Sequence, residues 1–479
     1  MKTIELKKIS IFFLIAMLFY YPIIYSNVYY RDDLDRAISG YYGWSSMGRP
    51  LADLTLKFIM SWSELSVDIF PLNVFLSCAF ISLSCYLISE KILNDKNELN
   101  RFLISALFII NPFFLQNVLY RFDSISMSLS ILLCTISYVL INEKKVPKII
   151  LGVIFSVFSL SLYQPCFNVF LGFISIDLMQ SVYKNKQLIL RNLVYKTLAF
   201  ITCYFIYYIT VAKIFVTNSR SSIVSFDKNG FRNITETNEK LIDLLSIPLA
   251  TIGMLSISIC SLVLISALVM KCIIRKKIYP PQLFISLISF LFIYFSFLGP
   301  TFILKEPPLV PRGITSTPFV LMLFFIIMFI TIKKYKAIIY ISLVLLVTPL
   351  FSSSYQLGNS LKNQRDYEIA YFNMINYDIT RSLCFNPDKI MVSGTLGYAP
   401  SVINTIKRNP LVKSILSKSD NFQASFLLSI VGVNGVETAY GKQKKYNDII
   451  KNSNDEDLIL VSSHYVFYKH EESLLIELR

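Results

Sequence analysis

The chain has 479 residues, of which 54% are hydrophobic and only 16% are charged, whereas soluble domains carry about a quarter charged residues. Its net charge of +15 would suit nucleic-acid binding, but the lysines and arginines flank successive apolar runs, as the positive-inside rule predicts for the cytoplasmic loops of a membrane protein. Both histidines, His464 and His470, lie in the last sixteen residues, which excludes a histidine base or metal ligand from the hydrophobic portion.

Apolar runs of about the length needed to cross a bilayer, roughly 20 residues, recur along most of the chain. The first has a basic start but no small-residue cleavage site, which predicts an uncleaved anchor with a cytoplasmic N-terminus. An odd number of spans then places the C-terminus outside. We expect a mainly α polytopic protein of the bacterial inner membrane with about eleven transmembrane helices, at about 9–27, 69–89, 101–119, 124–142, 149–166, 167–183, 193–216, 244–270, 282–300, 314–332 and 337–353.

The first external loop, residues 28–68, opens with the charged sequence Tyr30-Arg31-Asp32-Asp33-Leu34-Asp35-Arg36. A carboxylate at the membrane surface can take the proton from an attacking sugar hydroxyl, and a guanidinium can hold a departing phosphate. A solvated salt-bridge ladder that caps the first span is the alternative, and spacing alone does not separate the two. The position after the first span, beside tyrosines, favours chemistry, so we predict that Asp32 and Asp33 are catalytic.

Further polar side chains occur where later spans reach the same predicted membrane face. Each by itself is typical of a helix terminator or an interface anchor. Together they outline a ring around an outward-facing cavity, and the arginines suit phosphate binding. The predicted substrate-binding residues are Arg36, Arg49, Asp53, Arg121, Asp123, Tyr163, Gln164 and Arg312. No cofactor is required by this pattern, and the carboxylates leave the use of Mg²⁺ or Mn²⁺ open.

The polar C-terminal stretch predicts a separate domain. Residues 1–353 form the predicted membrane catalytic domain, and residues 354–479 are numerous enough to fold independently outside the membrane. Strand-like pieces at 389–393 and 457–461, with helical stretches at about 358–382 and 400–418, indicate a small α+β periplasmic domain. We assign acceptor recognition to it. The sequence has neither a nucleotide-binding glycine loop nor a long cytoplasmic segment, so a sugar donor would have to arrive through the membrane.

The motifs of the hydrophobic portion resemble the type II glucosyltransferase family, the serotype-converting O-antigen glucosyltransferases often carried by phages. The resemblance rests on the first-loop block and on three later segments: Asp32-Asp33-Leu34-Asp35-Arg36, Gly40-Tyr41-Tyr42-Gly43-Trp44-Ser45-Ser46, Gly48-Arg49-Pro50-Leu51-Ala52-Asp53, Asn111-Pro112-Phe113, Tyr120-Arg121-Phe122-Asp123-Ser124 and Leu162-Tyr163-Gln164-Pro165.

This resemblance implies a GT-C-like architecture, undecaprenyl-phosphate glucose as donor and the O-antigen repeat unit of lipopolysaccharide as acceptor. It also implies two companions, a synthase that makes the donor and a small flippase that turns it outward. The alternatives are an O-antigen polymerase, a transporter or flippase of lipid-linked sugars, and transfer of another sugar or an acyl group. Polymerases more typically carry key arginines in large central loops, and transporters often show paired repeats and broken midplane helices, neither of which the sequence displays.

Overall fold

The structure, a computed structural model, describes residues 3–181, 186–217, 222, 224–225, 227–275, 280–332, 334–383 and 385–479. It is mainly helical, with a small sheet near the C-terminus. The chain forms two compact units. The first comprises Met1–Ile24, Tyr42–Glu64 and Ile69–Ser354, and the second comprises Tyr25–Tyr41, Leu65–Asp68 and Tyr355–Arg479. The predicted first loop, 28–68, is therefore divided between the two units.

The described helices have the following bounds in chain order. They are α1 (Thr3–Ser26), α2 (Asp33–Ser39), α3 (Pro50–Ile59), α4 (Leu72–Leu87), α5 (Glu98–Ala106), α6 (Phe114–Leu119), α7 (Ser124–Asn142), α8 (Val146–Leu162), α9 (Gln164–Phe167), α10 (Val169–Ser181), α11 (Lys186–Tyr207), α12 (Lys213–Phe215), α13 (Lys228–Ile252), α14 (Met254–Arg275), α15 (Pro280–Leu298), α16 (Pro318–Thr331), α17 (Lys336–Ser382), α18 (Pro400–Arg408), α19 (Pro410–Ile415), α20 (Asn421–Ile430) and α21 (Gln443–Asn452).

Several of these helices are apolar enough to indicate a membrane protein. Within the described residues, six segments have the length and composition to cross a bilayer, and a seventh is present if the pair α13 and α14, bent by 91°, is one span. The apolar helices α8 and α16 are shorter. The expected count of about eleven is thus not confirmed, and residues 182–183 of one predicted span lie outside the described residues. The six segments are Ile4–Ser26, Leu72–Ile92, Ser124–Asn142, Ile189–Phe215, Phe284–Ile303 and Lys336–Arg381.

The predicted span at 101–119 shows why the count differs, because it is broken in the middle. Helix α5 ends at Ala106 and α6 begins only at Phe114. Between them, Pro112 has no N–H to donate, and the Asn111 carboxamide oxygen accepts the amides of Phe113 (3.1 Å) and Phe114 (3.3 Å). The side-chain nitrogen of Asn111, Nδ2, donates to the Thr315 carbonyl at 2.9 Å. Side-chain hydrogen bonds therefore satisfy backbone groups of this buried, apolar stretch that a continuous helix would otherwise satisfy.

The second unit contains the small sheet that the sequence predicts for the C-terminal stretch. Its strands are β1 (Lys389–Gly394), β2 (Leu458–Val461), β3 (Tyr465–His470) and β4 (Ser473–Leu478). The strand order is β1-β4-β3-β2, with β1 parallel to β4 and the other neighbours antiparallel. The two strands expected at 389–393 and 457–461 are confirmed, and β3 and β4 are additional.

The sheet is buried on both faces, because alternate residues of each strand point to opposite sides. Val392 and Ile476 belong to a core that includes residues of α17 and α20, whereas Met391 and Leu475 belong to a second core with Tyr446 of α21. The second unit is thus a small α+β fold with helices on both faces of its sheet. Its periplasmic location and its role in acceptor recognition remain predictions.

Candidate functional site

The acidic motif lies in the second unit, at the start of α2. The helix begins at Asp33, so Asp32 is its N-cap residue. Asp32 is exposed, and its carboxylate has no hydrogen-bond partner in the part of the chain that the structure describes. Asp33 is fully buried, and its carboxylate accepts the Tyr30 amide at 3.3 Å. The two neighbouring carboxylates therefore differ in environment: one faces solvent and one fixes the turn.

Arg36 is buried at the other end of this short helix. Its Nη1 donates to the Tyr41 carbonyl at 3.3 Å, and its Cζ lies 4.5 Å from the centre of the Tyr41 ring. Gly40 ends α2 with a φ of 65°, a left-handed conformation that favours glycine. The Arg36 backbone amide donates to the Asp32 carbonyl at 3.2 Å, but among the described residues no ion pair joins the two side chains. Leu34 belongs to the core that contains the sheet, which anchors the motif within its own unit.

In the first unit, Asp53 on α3 organises the preceding loop. Its Oδ1 accepts the amides of Gly43 (3.0 Å) and Trp44 (3.2 Å), and its Oδ2 accepts the amide of Ser45 (2.7 Å) and the Ser45 hydroxyl. Such a carboxylate, with several amides directed at it, is strongly bound to the protein itself. The geometry therefore gives Asp53 a role in loop structure.

Arg49 follows this loop and is held by neutral groups. Its Nε donates to Gln164 Oε1 at 2.8 Å, and its Cζ lies 4.5 Å from the centre of the Tyr163 ring. Gln164 in turn donates to the Met47 carbonyl (2.9 Å) and to the Tyr207 hydroxyl (2.8 Å). Among the described residues no carboxylate forms an ion pair with Arg49. Its positive charge is therefore oriented by its neighbours without being neutralised by them.

The close approach of Tyr207 explains a glycine in the loop. The Tyr207 hydroxyl donates to the Gly48 carbonyl at 2.8 Å. A Cβ on Gly48 would lie 2.5 Å from the Tyr207 oxygen, and Gly48 has a φ of 76°. A larger residue would be both strained and obstructed here. Gly48 thus lets the Arg49 backbone lie directly against α11.

Two further arginines continue the same series of contacts. Arg312 Cζ lies 4.3 Å from the centre of the Tyr120 ring, and Arg121 Cζ lies 4.2 Å from that of Phe70. The Tyr163 hydroxyl donates to the Arg312 carbonyl at 3.4 Å. These contacts connect Arg49, Tyr163, Arg312 and Tyr120, and Arg121 is the residue that follows Tyr120 in the chain. We call these five residues the arginine group.

Buried carboxamides fix the backbone of the arginine group. Gln116 Oε1 accepts the Arg312 amide at 2.8 Å, and Asn117 Nδ2 donates to the Arg312 carbonyl at 3.1 Å. Asn73 Nδ2 donates to the Arg121 carbonyl at 3.1 Å. Asn73 and Asn117 are fully buried. Because Arg49 is bound by a neutral amide and a ring face, it keeps its positive charge, and this arrangement suits an anion such as phosphate.

Asp123, two residues after Arg121, links the loop that contains Trp44 to the arginine group. Trp44 Nε1 donates to Asp123 Oδ1 at 2.7 Å, and both side chains are buried. Trp44 packs in a core with Ala52, Phe122 and Ile125. The predicted site residues are divided between the two units: Arg49, Asp53, Arg121, Asp123, Tyr163, Gln164 and Arg312 lie in the first, whereas Asp32, Asp33 and Arg36 lie in the second.

Sequence reasoning missed three residues of this region, namely Asn73, Tyr207 and Phe70. Asn73 had a detectable signal, because a lone carboxamide near the start of an apolar run needs a hydrogen-bond partner. Tyr207 and Phe70 had none, since tyrosine and phenylalanine are common at span ends. No group of three or more His, Cys, Asp or Glu side chains that could hold a metal ion occurs among the described residues.

Residues 21–330 match the family described as "Glucosyl transferase GtrII", a segment that contains every predicted site residue from Asp32 to Arg312. The chain is also similar to a protein of Salmonella phage P22 described as "Uncharacterized 55.3 kDa protein in gtrB 5'region". The two are 30% identical over 426 residues, which cover 86% of this chain and 87% of the phage protein.

Proposed function

Because the chain belongs to the GtrII glucosyl transferase family, we propose that it transfers glucose from undecaprenyl-phosphate glucose to the O-antigen repeat unit of lipopolysaccharide. The reaction takes place on the periplasmic side of the bacterial inner membrane and changes the serotype. The observation that carries this proposal is the arginine group, with Arg49 bound by neutral partners. A prenyl-phosphate sugar presents the anionic phosphate that such a group would bind.

The arginines act on the leaving group. When the bond between the anomeric carbon and the phosphate oxygen breaks, the electron pair stays on the prenyl phosphate and its negative charge increases. The guanidiniums of Arg49, Arg121 and Arg312 stabilise that charge through charge-assisted hydrogen bonds, which are among the strongest available to a protein. Gln164 contributes by orienting Arg49 while leaving its charge intact.

The base acts on the attacking acceptor hydroxyl. Asp32 fits this role because its carboxylate is exposed and has no protein partner among the described residues. It accepts the hydroxyl proton as the acceptor oxygen bonds to the anomeric carbon. Asp33 positions Asp32 through its bond to the Tyr30 amide, and Arg36 holds the end of the same helix. A single displacement inverts the anomeric centre, so a β-linked donor yields an α-linked branch.

The remaining assignments concern partners. Residues 354–479 select the acceptor, and a donor synthase and a small flippase supply the lipid-linked glucose at the outer face. Exchange of residues 354–479 between two relatives of different specificity tests the first point: acceptor choice should move with the exchanged segment. If it stays with the membrane portion, this assignment is wrong. The reaction as proposed needs no cofactor, and activity after chelation decides whether Mg²⁺ or Mn²⁺ assists.

The decisive experiment uses purified full-length protein in detergent with prenyl-phosphate glucose and O-antigen acceptor. We expect glucosylated acceptor and free prenyl phosphate in equal amounts. Arg49→Gln should lower kcat/KM strongly, whereas Arg232→Gln, at an exposed arginine of α13, should not. A lengthened acceptor chain without glucose transfer would indicate a polymerase. Movement of intact donor across vesicles without product would indicate a transporter, and either result would overturn the proposal.

A further inference from the structure

A polar cavity lies in the first unit, away from the arginine group. Its volume is about 190 Å³, and it lies between the C-terminal ends of α7 and α10 and the N-terminal half of α11. Six polar side chains line it: Asn94, Asn142, Asp177, Ser181, Asn192 and Lys196. A polar cavity among apolar helices is unusual enough in a membrane protein to indicate a function.

The cavity contains a buried ion pair. Lys196, only 5% exposed, pairs with Asp177, and the Tyr138 hydroxyl also donates to Asp177. Lys196 Nζ lies 3.1 Å from the Tyr138 oxygen. Within this cluster the two charges compensate each other, which is the condition for keeping them in a low-dielectric interior. The lining itself therefore offers many hydrogen-bonding groups but no net charge, while the Lys144 ammonium donates to Asn192 Oδ1 from outside the lining.

The cavity is distinct from the arginine group because α7 separates them. Helix α7 begins at Ser124, next to Arg121 and Asp123, and ends at Asn142, which lines the cavity. Its 19 residues span about 28 Å, close to the thickness of a bilayer core. The cavity thus opens near the opposite membrane face. Lys144 and Lys145 follow α7 directly, as expected for a cytoplasmic end.

The lining identifies the chemistry of a ligand. A phosphate would require net positive charge and an ammonium net negative charge, whereas carboxamides donate and accept in equal measure, as sugar hydroxyls do. Aliphatic side chains of Ile174, Leu178, Ile189 and Leu193 complete the wall and suit the C–H face of a sugar or the first carbons of a lipid. We propose that this cavity binds the hexose headgroup of a membrane glycolipid. We identify this lipid as the glucosylated prenyl phosphate, bound at the membrane face on which it is made. This identification rests on the proposed function.

The test counts bound lipid on the purified full-length protein by native mass spectrometry, with a ten-carbon prenyl-phosphate glucose as probe. We expect two bound molecules. Asn142→Trp, at the exposed mouth of the cavity, should remove one of them and leave the Lys196–Asp177 pair untouched. Arg49→Gln should remove the other. Leu190→Trp, at an exposed position of α11 outside the lining, is the matched control and should retain both.

Competition then identifies the headgroup. Octyl glucoside, which has a hexose but no phosphate, should displace the molecule that Asn142→Trp removes. Prenyl phosphate without sugar should displace only the molecule that Arg49→Gln removes. Full retention of both molecules in Asn142→Trp, or displacement from the cavity by prenyl phosphate alone, would overturn the inference and leave the proposed function standing. If Asn142→Trp loses one bound molecule while Arg49→Gln still binds two, the inference is supported. The proposal that the arginine group binds the phosphate is then contradicted.

Discussion

Arg49 Nε donates to Gln164 Oε1 at 2.8 Å across 115 residues of sequence, so the guanidinium is bound by an amide rather than by a carboxylate. An amide fixes the direction of the arginine as well as a carboxylate would, but it adds no negative charge. The Tyr163 ring beneath the guanidinium acts in the same way. This pair supports phosphate binding more directly than the mere presence of arginines at a membrane face.

Gln164→Glu is therefore predicted to weaken donor binding while preserving the fold. A carboxylate at this position would pair with Arg49 and compete with phosphate. Since charged hydrogen bonds contribute about 1.5–3 kcal/mol, the KM for prenyl-phosphate glucose should rise about tenfold or more. Gln164→Met, which removes the hydrogen bond without adding charge, should raise KM less. Steady-state kinetics on both variants measure the difference, and equal effects would argue against a charge-based role.

Asp53→Ala is predicted to act on stability rather than on donor affinity. The substitution removes the acceptor of the exposed Gly43 amide, which water can satisfy, and of the partly buried amides of Trp44 and Ser45. An unsatisfied amide that is buried costs about 1–3 kcal/mol. Thermal unfolding in detergent should show a lower Tm, with an unchanged KM for the molecules that remain folded. A wild-type Tm with a raised KM would instead make Asp53 a substrate ligand.

Asp32→Asn and Asp33→Asn are predicted to differ. Asp32→Asn removes the proposed base and should lower kcat by a factor of about 100 to 10,000, with little change in KM or Tm. Asp33→Asn disturbs the buried turn at Tyr30 and should lower Tm together with activity. Serotype conversion in cells, at matched expression, gives a second readout. Full activity of both variants would refute the assignment of the base to this motif.

The second unit should show a local pH response through Glu437. The Lys442 ammonium, 2.7 Å away, and then the Tyr446 hydroxyl, at 2.6 Å, lower the pKa of Glu437 below its ordinary value of 4.5. Because the folded pKa is depressed, the ionised glutamate stabilises the fold above pH 4.5, and that contribution disappears as the pH falls through the folded value.

Because the Glu437 side chain is 24% exposed and that of Lys442 39%, solvent limits this contribution to about 1 kcal/mol or less. Hydrogen exchange of α21, corrected for the intrinsic pH dependence of amides, should therefore rise modestly between pH 7 and pH 3 in the full-length protein. The same measurement on Glu437→Gln should show a flatter dependence. An equal slope in both proteins would mean that Glu437 does not link pH to the stability of α21.

The comparison of sequence with structure separates local from long-range information. Hydropathy located the apolar helices, and short strand-like runs in the polar C-terminal stretch located β1 and β2, because both patterns lie in neighbouring residues. The break at Asn111-Pro112 had a local signal in Pro112, but its partner Thr315 is 204 residues away. The ring partners of the arginines are likewise distant, as Tyr163 is for Arg49. Spacing therefore could not predict which groups hold the arginines.

The same limit applies to the acidic motif. The sequence shows Asp32 and Asp33 as equivalent neighbours, and only the start of α2 at Asp33 distinguishes an exposed carboxylate from a buried one. Such boundaries depend on tertiary packing, here the burial of Leu34 in the core that contains the sheet, rather than on local propensity.

The burial of Trp44 has a practical consequence for spectroscopy. The chain has two tryptophans, and the second, Trp62, is 60% exposed. Trp62→Phe would leave a single indole emitter whose N–H is bound to Asp123. The emission maximum of that variant would then report whether a lipid is bound beside Arg121. Binding could be followed in real time without any added label.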